Sequence, residues 1–231
     1  MNNEHPILMS TPMVQAYMAG RKNQTRRLTG LDEINKEPDN WELVNWPAEN
    51  AMVFKRKGCD SVIFVKLPYG PVGGKLWFRE SWTIPYLHDG GEEDYYYKAD
   101  NIKVSDFRHR FIDGKWRPSI HMPRAAARFM PKILGYKLER LQNISKQDAI
   151  NEGIEKKECK AGHTVFYGYK IYTSESSFTD SPIESYKSLW DLLNSKPKKT
   201  KSGKIKPAYP WFSNPWVWAV EFERFEATPF S

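Results

Sequence analysis

The chain has 231 residues and a mass of 27.0 kDa, and its 40% hydrophobic and 14% aromatic content exclude a disordered polypeptide and favour one folded domain. A net charge of +7 and a pI near 9.2 favour a polyanionic partner such as nucleic acid. Two cysteines are too few for a disulfide scaffold, and no stretch approaches the ~20 apolar residues of a membrane span, so we expect a cytoplasmic protein without a membrane partner.

The first predicted helix leads into a basic segment. In residues 12–20 (PMVQAYMAG), Met13, Ala16 and Tyr17 have helical spacing, and Gly20 stands where a helix ends. The following residues, GRKNQTRR, are predicted to form a turn. In a turn Lys22 and Thr25 share one face, whereas in a strand they would lie on opposite faces.

Lys22 and Thr25 are the candidate chemical groups of this turn. Lys22 lies within seven residues of Arg21, Arg26 and Arg27, and such crowding of cations favours a neutral lysine, more so when the site is partly desolvated. A neutral lysine one turn away could activate the threonine hydroxyl as a nucleophile. The alternative is a solvated basic turn of the kind found in nucleic-acid-binding patches.

Residues 28–60 predict a connection with one hairpin, and two strands follow, at residues 62–67 (VIFVKL) and 75–80 (KLWFRE). Strand alternation places Trp77 and Arg79 on one face. An aromatic ring and a guanidinium both stack on nucleobases, so this pair suits base binding. A core tryptophan beside a packed arginine stem is an equally good interpretation.

Residues 95–98 (YYYK) predict another strand, and residues 115–124 (KWRPSIHMPR) predict an ordered loop, because two prolines exclude a central strand or a helix interior. The loop brings cations and an aromatic residue together and is predicted to form a wall of a binding groove. Its alternative role is packing over the core. The candidate binding residues in it are Trp116, Arg117, His121 and Arg124.

Residues 125–141 predict one or two strands with a bulge or bend at Gly135. The next segment, SKQDAINEGI, predicts a helix of about two turns that is capped by Ser145 and stopped by Gly153. Glu152 ends this helix, where the macrodipole disfavours an anion by ~0.3–1 kcal/mol. Lys22 is a candidate cation to offset that cost, and an exposed glutamate is the alternative.

The C-terminal third alternates polar turns and aromatic segments. Residues 155–181 predict an insertion or hairpin that contains Cys159 and His163, and two ligands do not complete a zinc site, so no metal and no other cofactor is expected. Residues 183–193 predict an amphipathic helix capped by Ser181, and its apolar stripe is predicted to lie in the core: Ile183, Tyr186, Leu189, Trp190 and Leu193. The remaining predictions are a lysine-rich loop at 195–207 that touches phosphates or stays hydrated, and a final strand at 216–225.

Five blocks, in order, resemble the ASCH family, a PUA-like β-barrel group, and in particular the ASCH proteins of phages and prophages. They are GRKNQTRR, LWFRESW, RPSIHMPR, LERLQNISKQDAINEGI and WVWAVEFERF. The resemblance covers most of the chain. It implies an α+β fold, namely a PUA-like mixed β-barrel with short flanking helices, as a single domain over residues 1–231 with insertions at about 28–60 and 155–210.

The resemblance extends to bacterial acetylcytidine amidohydrolases, whose catalytic lysine, threonine and glutamate lie in motifs matched by GRKNQTRR and DAINEG. It implies Lys22, Thr25 and Glu152 as catalytic residues that remove an acyl group from a modified cytidine or related base. This chain is longer, and Asn23 and Gln24 stand where relatives commonly have a threonine and a variable residue. The resemblance therefore leaves open a reshaped pocket or a different ligand.

PUA-like barrels are associated with RNA and modified-base recognition, so the implied partners are RNA, a modified nucleoside or single-stranded nucleic acid in a bacterial host. The alternatives to the amidohydrolase are a non-catalytic reader of RNA or modified DNA, and a ribonuclease. The candidate substrate- or nucleic-acid-binding residues are Arg21, Arg26, Arg27, Trp77, Arg79, Trp116, Arg117, His121 and Arg124.

Overall fold

The structure, a computed structural model, describes residues 3–44, 50–84, 95–102, 115–161, 164–174, 177–199, 203 and 205–225. Its strands are β1 Glu4–Leu8, β2 Gln24–Arg27, β3 Trp41–Val44, β4 Ala51–Arg56, β5 Val62–Lys66, β6 Lys75–Arg79, β7 Trp82–Thr83, β8 Tyr96–Tyr97, β9 Ile133–Arg140, β10 Lys156–Ala161, β11 Thr164–Lys170, β12 Phe178–Thr179, β13 Lys198–Lys199, β14 Ile205–Lys206 and β15 Trp216–Phe222. The helices are α1 Thr11–Met18, α2 Lys146–Asn151 and α3 Pro182–Asn194. The predicted α+β class is confirmed.

The strands form small sheets that do not close into a barrel within the described ranges. The central sheet has the order β2-β15-β9 and is antiparallel, with β15 in the middle and β2 at an edge. Next to it, β1 pairs with β6 in parallel, and β3, β4 and β5 form an antiparallel meander. The described helices include none that is long and apolar enough to cross a membrane.

The middle strand β15 is buried on both faces because a separate core lies on each side of it. Trp218, Val220 and Phe222 belong to the larger core, whereas Val217 belongs to a second core with α2 and α3. Burying one such apolar side chain contributes roughly 1.5–3 kcal/mol. The strand β15 therefore connects the two cores.

The structure confirms the predicted helix caps, the predicted end of α2 and the predicted bulge in β9. Ser145 Oγ accepts a hydrogen bond from Asp148 N at 3.0 Å, and Ser181 Oγ caps α3 in the same way. Gly153 follows α2 with φ +90°, a left-handed value that glycine adopts without steric cost. The β9–β15 register is irregular beside Gly135, as a bulge there requires.

Other predictions are corrected by long-range pairing. Residues 24–27 form strand β2 and not a turn, because their backbone pairs with β15, where Thr25 lies opposite Val220. The strands predicted at 62–67 and 75–80 are confirmed as Val62–Lys66 and Lys75–Arg79, which pair with β4 and β1 respectively. Part of the lysine-rich loop is a short hairpin of β13 and β14, while residues 200–202 and 204 lie outside the described residues.

Candidate active site

A cavity of about 610 Å³ is lined by residues from distant parts of the chain. The start of α1, strand β2, the end of α2, helix α3 and the segment at 206–209 all contribute to its wall. Lys22, Thr25 and Glu152 all line it. The structure thus brings together the three residues that the resemblance implies as catalytic.

Lys22 is one of the largest fully buried side chains, with 1% of its surface exposed. Its Nζ donates hydrogen bonds to Gln24 O at 2.7 Å, to Glu152 O at 2.7 Å and to Glu152 Oε2 at 3.3 Å. The pKa of Lys22 is lowered to about 8. Burial is the largest cause, Glu152 partly opposes it, and the charge of Arg27 adds to the lowering. A neutral amine is therefore accessible close to neutral pH.

Glu152 is buried, with 4% exposure, at the C-terminal end of α2. The expectation that Lys22 offsets the unfavourable helix-end charge is confirmed, and the alternative of an exposed glutamate is wrong. One carboxylate oxygen contacts Lys22 at 3.3 Å, and the other accepts a hydrogen bond from Arg26 Nη1 at 3.1 Å. Two cations outweigh the macrodipole cost.

Arg26 lies at the centre of a buried ionic network. Its Nη2 contacts Glu139 at 2.6 Å and Asp148 at 3.6 Å, and its Nη1 also donates to Gln24 Oε1 at 2.7 Å. Burial opposes the positive charge, but Glu152 and the other anionic groups outweigh burial and raise the pKa of Arg26. Arg26 stays charged and fixes the orientation of Glu152. Its Nε has no hydrogen-bond acceptor among the described residues.

Thr25 reaches the cavity from the other face of β2. Strand alternation separates Thr25 and Arg27 from Gln24 and Arg26. Residues from both faces of β2 nevertheless line the cavity, because Thr25, Arg26 and Arg27 all contribute to its wall. Thr25 is 1% exposed.

Tyr186 is a site residue that the sequence pattern assigned to the core stripe of α3. It is buried and lines the cavity together with Glu152. Burial, followed by the charge of Glu152, raises the pKa of Tyr186 well above its usual range. The hydroxyl therefore stays protonated. A polar tip within an apolar helical stripe was the available signal.

The prediction that Leu193, at the end of the same apolar stripe, lies in the core is wrong. It is 51% exposed and lines the cavity, whereas the helical pattern placed it in the core.

Arg27 lines the cavity, whereas Arg21 is an exposed residue that donates to the carbonyl oxygens of Gly153 and Ile154. These two bonds tie the end of α2 to the segment before β2. Arg21 thus has a positioning role for the neighbouring Glu152.

The aromatic candidates lie on other surfaces and are not among the described lining residues of the cavity. The Arg79 guanidinium lies 5.4 Å from the Trp77 ring and that of Arg124 lies 6.0 Å from it, which makes one cation–aromatic cluster. Trp77 and Arg79 are half-buried, and Arg124 is exposed. Arg117 instead lies 5.2 Å from the Trp82 ring. His121 is exposed and Trp116 is half-buried. Their nucleic-acid-binding role stays a prediction.

Among the described residues, no group of three or more histidine, cysteine, aspartate or glutamate side chains is arranged to hold a metal ion. His163 and the side chain of Cys159 lie outside the described residues, so the CxxxH fragment is not part of this statement.

The chemistry of the site is therefore a buried lysine next to a carboxylate, with a threonine hydroxyl in the same cavity. Comparison of the chain with models of protein families, with curated proteins and with solved structures finds no match, so the geometry and the sequence motifs carry the functional argument.

Proposed function

We propose that the chain is an ASCH protein with a PUA-like fold that removes an acyl group from the exocyclic amine of a modified cytidine or related base. The observation that carries this proposal is the buried contact of Lys22 with Glu152 at 3.3 Å in a cavity that Thr25 also lines. A cavity of about 610 Å³ lies within the usual size range of small-molecule sites. The proposed location is the cytoplasm of a bacterial host.

The proposed reaction uses Lys22 as a base and Thr25 as a nucleophile. Neutral Lys22 takes the hydroxyl proton of Thr25, and the threonine oxygen forms a bond to the amide carbonyl carbon. The carbon–nitrogen bond then breaks, and the proton on Lys22 passes to the leaving exocyclic amine. Lys22 then takes a proton from water, and the hydroxide attacks the ester carbon. The bond from this carbon to the threonine oxygen breaks, the proton on Lys22 returns to that oxygen, and the acyl group leaves as a carboxylic acid.

Glu152 and Arg26 support this cycle by their positions. Glu152 holds Lys22 in place, and its negative charge stabilises the lysine while it is protonated. Of the donors on Arg26, Nε has no acceptor in the described structure, and Arg26 lines the cavity. We assign this donor to the oxyanion that forms when the carbonyl is attacked, where one such donor typically contributes roughly 3–4 kcal/mol.

The test is a panel of acylated and otherwise modified nucleosides, assayed for hydrolysis by chromatography. We expect release of cytidine from acetylcytidine, and loss of that release in Lys22→Ala. Lys187→Ala is a matched control, because Lys187 is a partly exposed lysine of α3 that pairs with Glu184. Intact acetylcytidine after incubation, both as nucleoside and in RNA, would exclude the hydrolase.

The second candidate function is a non-catalytic reader of RNA or modified DNA. It is favoured by the partly exposed cluster of Trp77, Arg79 and Arg124, since rings and guanidinium groups both stack on bases. A reader should keep salt-sensitive binding in Thr25→Ala, because phosphate contacts do not need that hydroxyl. Binding that survives this change without any hydrolysis by the native chain would support the reader.

A further inference from the structure

The rim of the cavity carries positive charge that the proposed amide hydrolysis does not use. Arg27 of β2, Lys196 and Lys206 of β14 line it, and Asp32 is the carboxylate on this side. Within the described lining, the three rim cations exceed that carboxylate by two charges. Arg27 is half-buried, whereas the two lysines are exposed.

The rim cations differ from Lys22 and Arg26 because none of them pairs with a carboxylate of the described chain. Arg27 donates to the carbonyl oxygens of Arg26 and Leu8, each at 3.1 Å, and these acceptors are neutral. A guanidinium has five N–H donors, so others remain for a ligand. The inner part of the cavity is thus matched in charge by its own carboxylates, and the rim is not.

A second observation at the rim is the Tyr209 hydroxyl. Tyr209 is 8% exposed and lines the cavity, yet its hydroxyl has no hydrogen-bond partner in the described structure. Its backbone is held in place, because Tyr209 N donates to Asn194 O and Tyr209 O accepts from Trp190 Nε1. An unpartnered buried polar group carries a cost of roughly 1–3 kcal/mol, which a bound ligand can remove.

We propose that this rim binds a phosphate group of the substrate, so that the chain acts on a phosphorylated nucleoside in preference to the free nucleoside. The proposal rests on the proposed amidohydrolase function and adds the charge of its substrate. Arg27 supplies paired N–H donors that match phosphate oxygens, Lys196 and Lys206 supply mobile charges, and Tyr209 supplies a hydroxyl. The phosphate belongs either to a free nucleotide or to a nucleic acid strand.

The kinetic test compares acetylcytidine, its 5′-monophosphate and a short oligoribonucleotide with one acetylcytidine. We expect the native chain to have a kcat/KM at least about tenfold higher for a phosphorylated substrate, which corresponds to one charge-assisted contact. The double variant Lys196→Gln, Lys206→Gln should lose most of this preference. The matched variant Lys66→Gln, Lys75→Gln, which changes two exposed strand lysines, should keep it. The better of the two phosphorylated substrates identifies the source of the phosphate.

A kcat/KM that is equal for acetylcytidine, its 5′-monophosphate and the oligoribonucleotide would overturn the phosphate site and leave the amidohydrolase intact. If no substrate is hydrolysed, the proposed amidohydrolase activity is excluded. Calorimetric titration with cytidine, cytidine 5′-monophosphate and inorganic phosphate then tests the phosphate site at the rim separately. Tighter binding of the monophosphate than of cytidine, weakened in the double variant Lys196→Gln, Lys206→Gln, supports the site. Equal binding of the two overturns it.

Discussion

Replacing Lys22 by methionine should change how stability depends on pH. In the folded chain the pKa of Lys22 is lowered from 10.5 to about 8 because the side chain is buried. Between these two values the unfolded chain holds a proton that the folded chain has released. Stability therefore rises with pH across this window, and the destabilisation due to the buried charge is fully present below about pH 8.

The size of the effect follows from the two pKa values. At pH 7 the lowered pKa of Lys22 costs about 3 kcal/mol of folding stability, and at pH 9.5 this cost falls to about 1 kcal/mol. The native chain should therefore gain about 2 kcal/mol relative to Lys22→Met between pH 7 and pH 9.5. Tyrosines with raised pKa values are common to both proteins, so their contributions cancel in the difference.

Urea denaturation of both proteins at pH 7 and pH 9.5 measures this difference directly. Lys187→Met is the control, because its partly exposed lysine should give the same difference from the native chain at both pH values. A stability difference between native and Lys22→Met chains that stays constant over this range would show that burial does not lower the pKa of Lys22. Lys22 would then stay protonated near neutral pH and could not act as the base.

Three further outcomes follow from the same geometry. Hydrolysis by the native chain should rise about tenfold per pH unit below pH 8 and level off above it, because only neutral Lys22 accepts a proton; a flat profile would exclude this base. Thr25→Ser should retain activity and Thr25→Val should lose about 100-fold or more, as measured by kcat; equal rates would exclude Thr25 as nucleophile. Gly153→Ala should lower the free energy of unfolding by about 2–4 kcal/mol, because its Cβ would lie 2.9 Å from the Cβ atoms of Ala16 and Lys22. The control is Gly58→Ala, which has a similar positive φ but no atom within 4 Å and should lose about 1–2 kcal/mol. Equal losses in the two variants would show that the clash at Gly153 is relieved.

Local signals in the sequence were sufficient for the helices and for most strands. Ser145 and Ser181 cap the helices that they were predicted to cap, and Gly153 ends α2. The strong alternation of WVWAVEF gives β15. These features depend on neighbours within a few residues, so the sequence contains the necessary information.

The motif order also indicated Lys22, Thr25 and Glu152 before any geometry, and the structure places all three at one cavity. The sequence could not predict that residues 24–27 form a strand, because that depends on pairing with a segment almost 200 residues away. It also could not place the aromatic candidates, which lie on surfaces outside the described cavity lining.

The sequence alone determined the residue types available for chemistry and the local elements that carry them. Tertiary structure decided which of these groups are desolvated and which carboxylates they pair with. Lys22 and Arg26 are buried and pair with Glu152. Arg27 lies at the rim of the cavity without a carboxylate partner among the described residues. Desolvation and charge pairing depend on distances between segments far apart in the chain. For that reason the lowered pKa of Lys22 and the unpaired rim charge became apparent only in the folded chain.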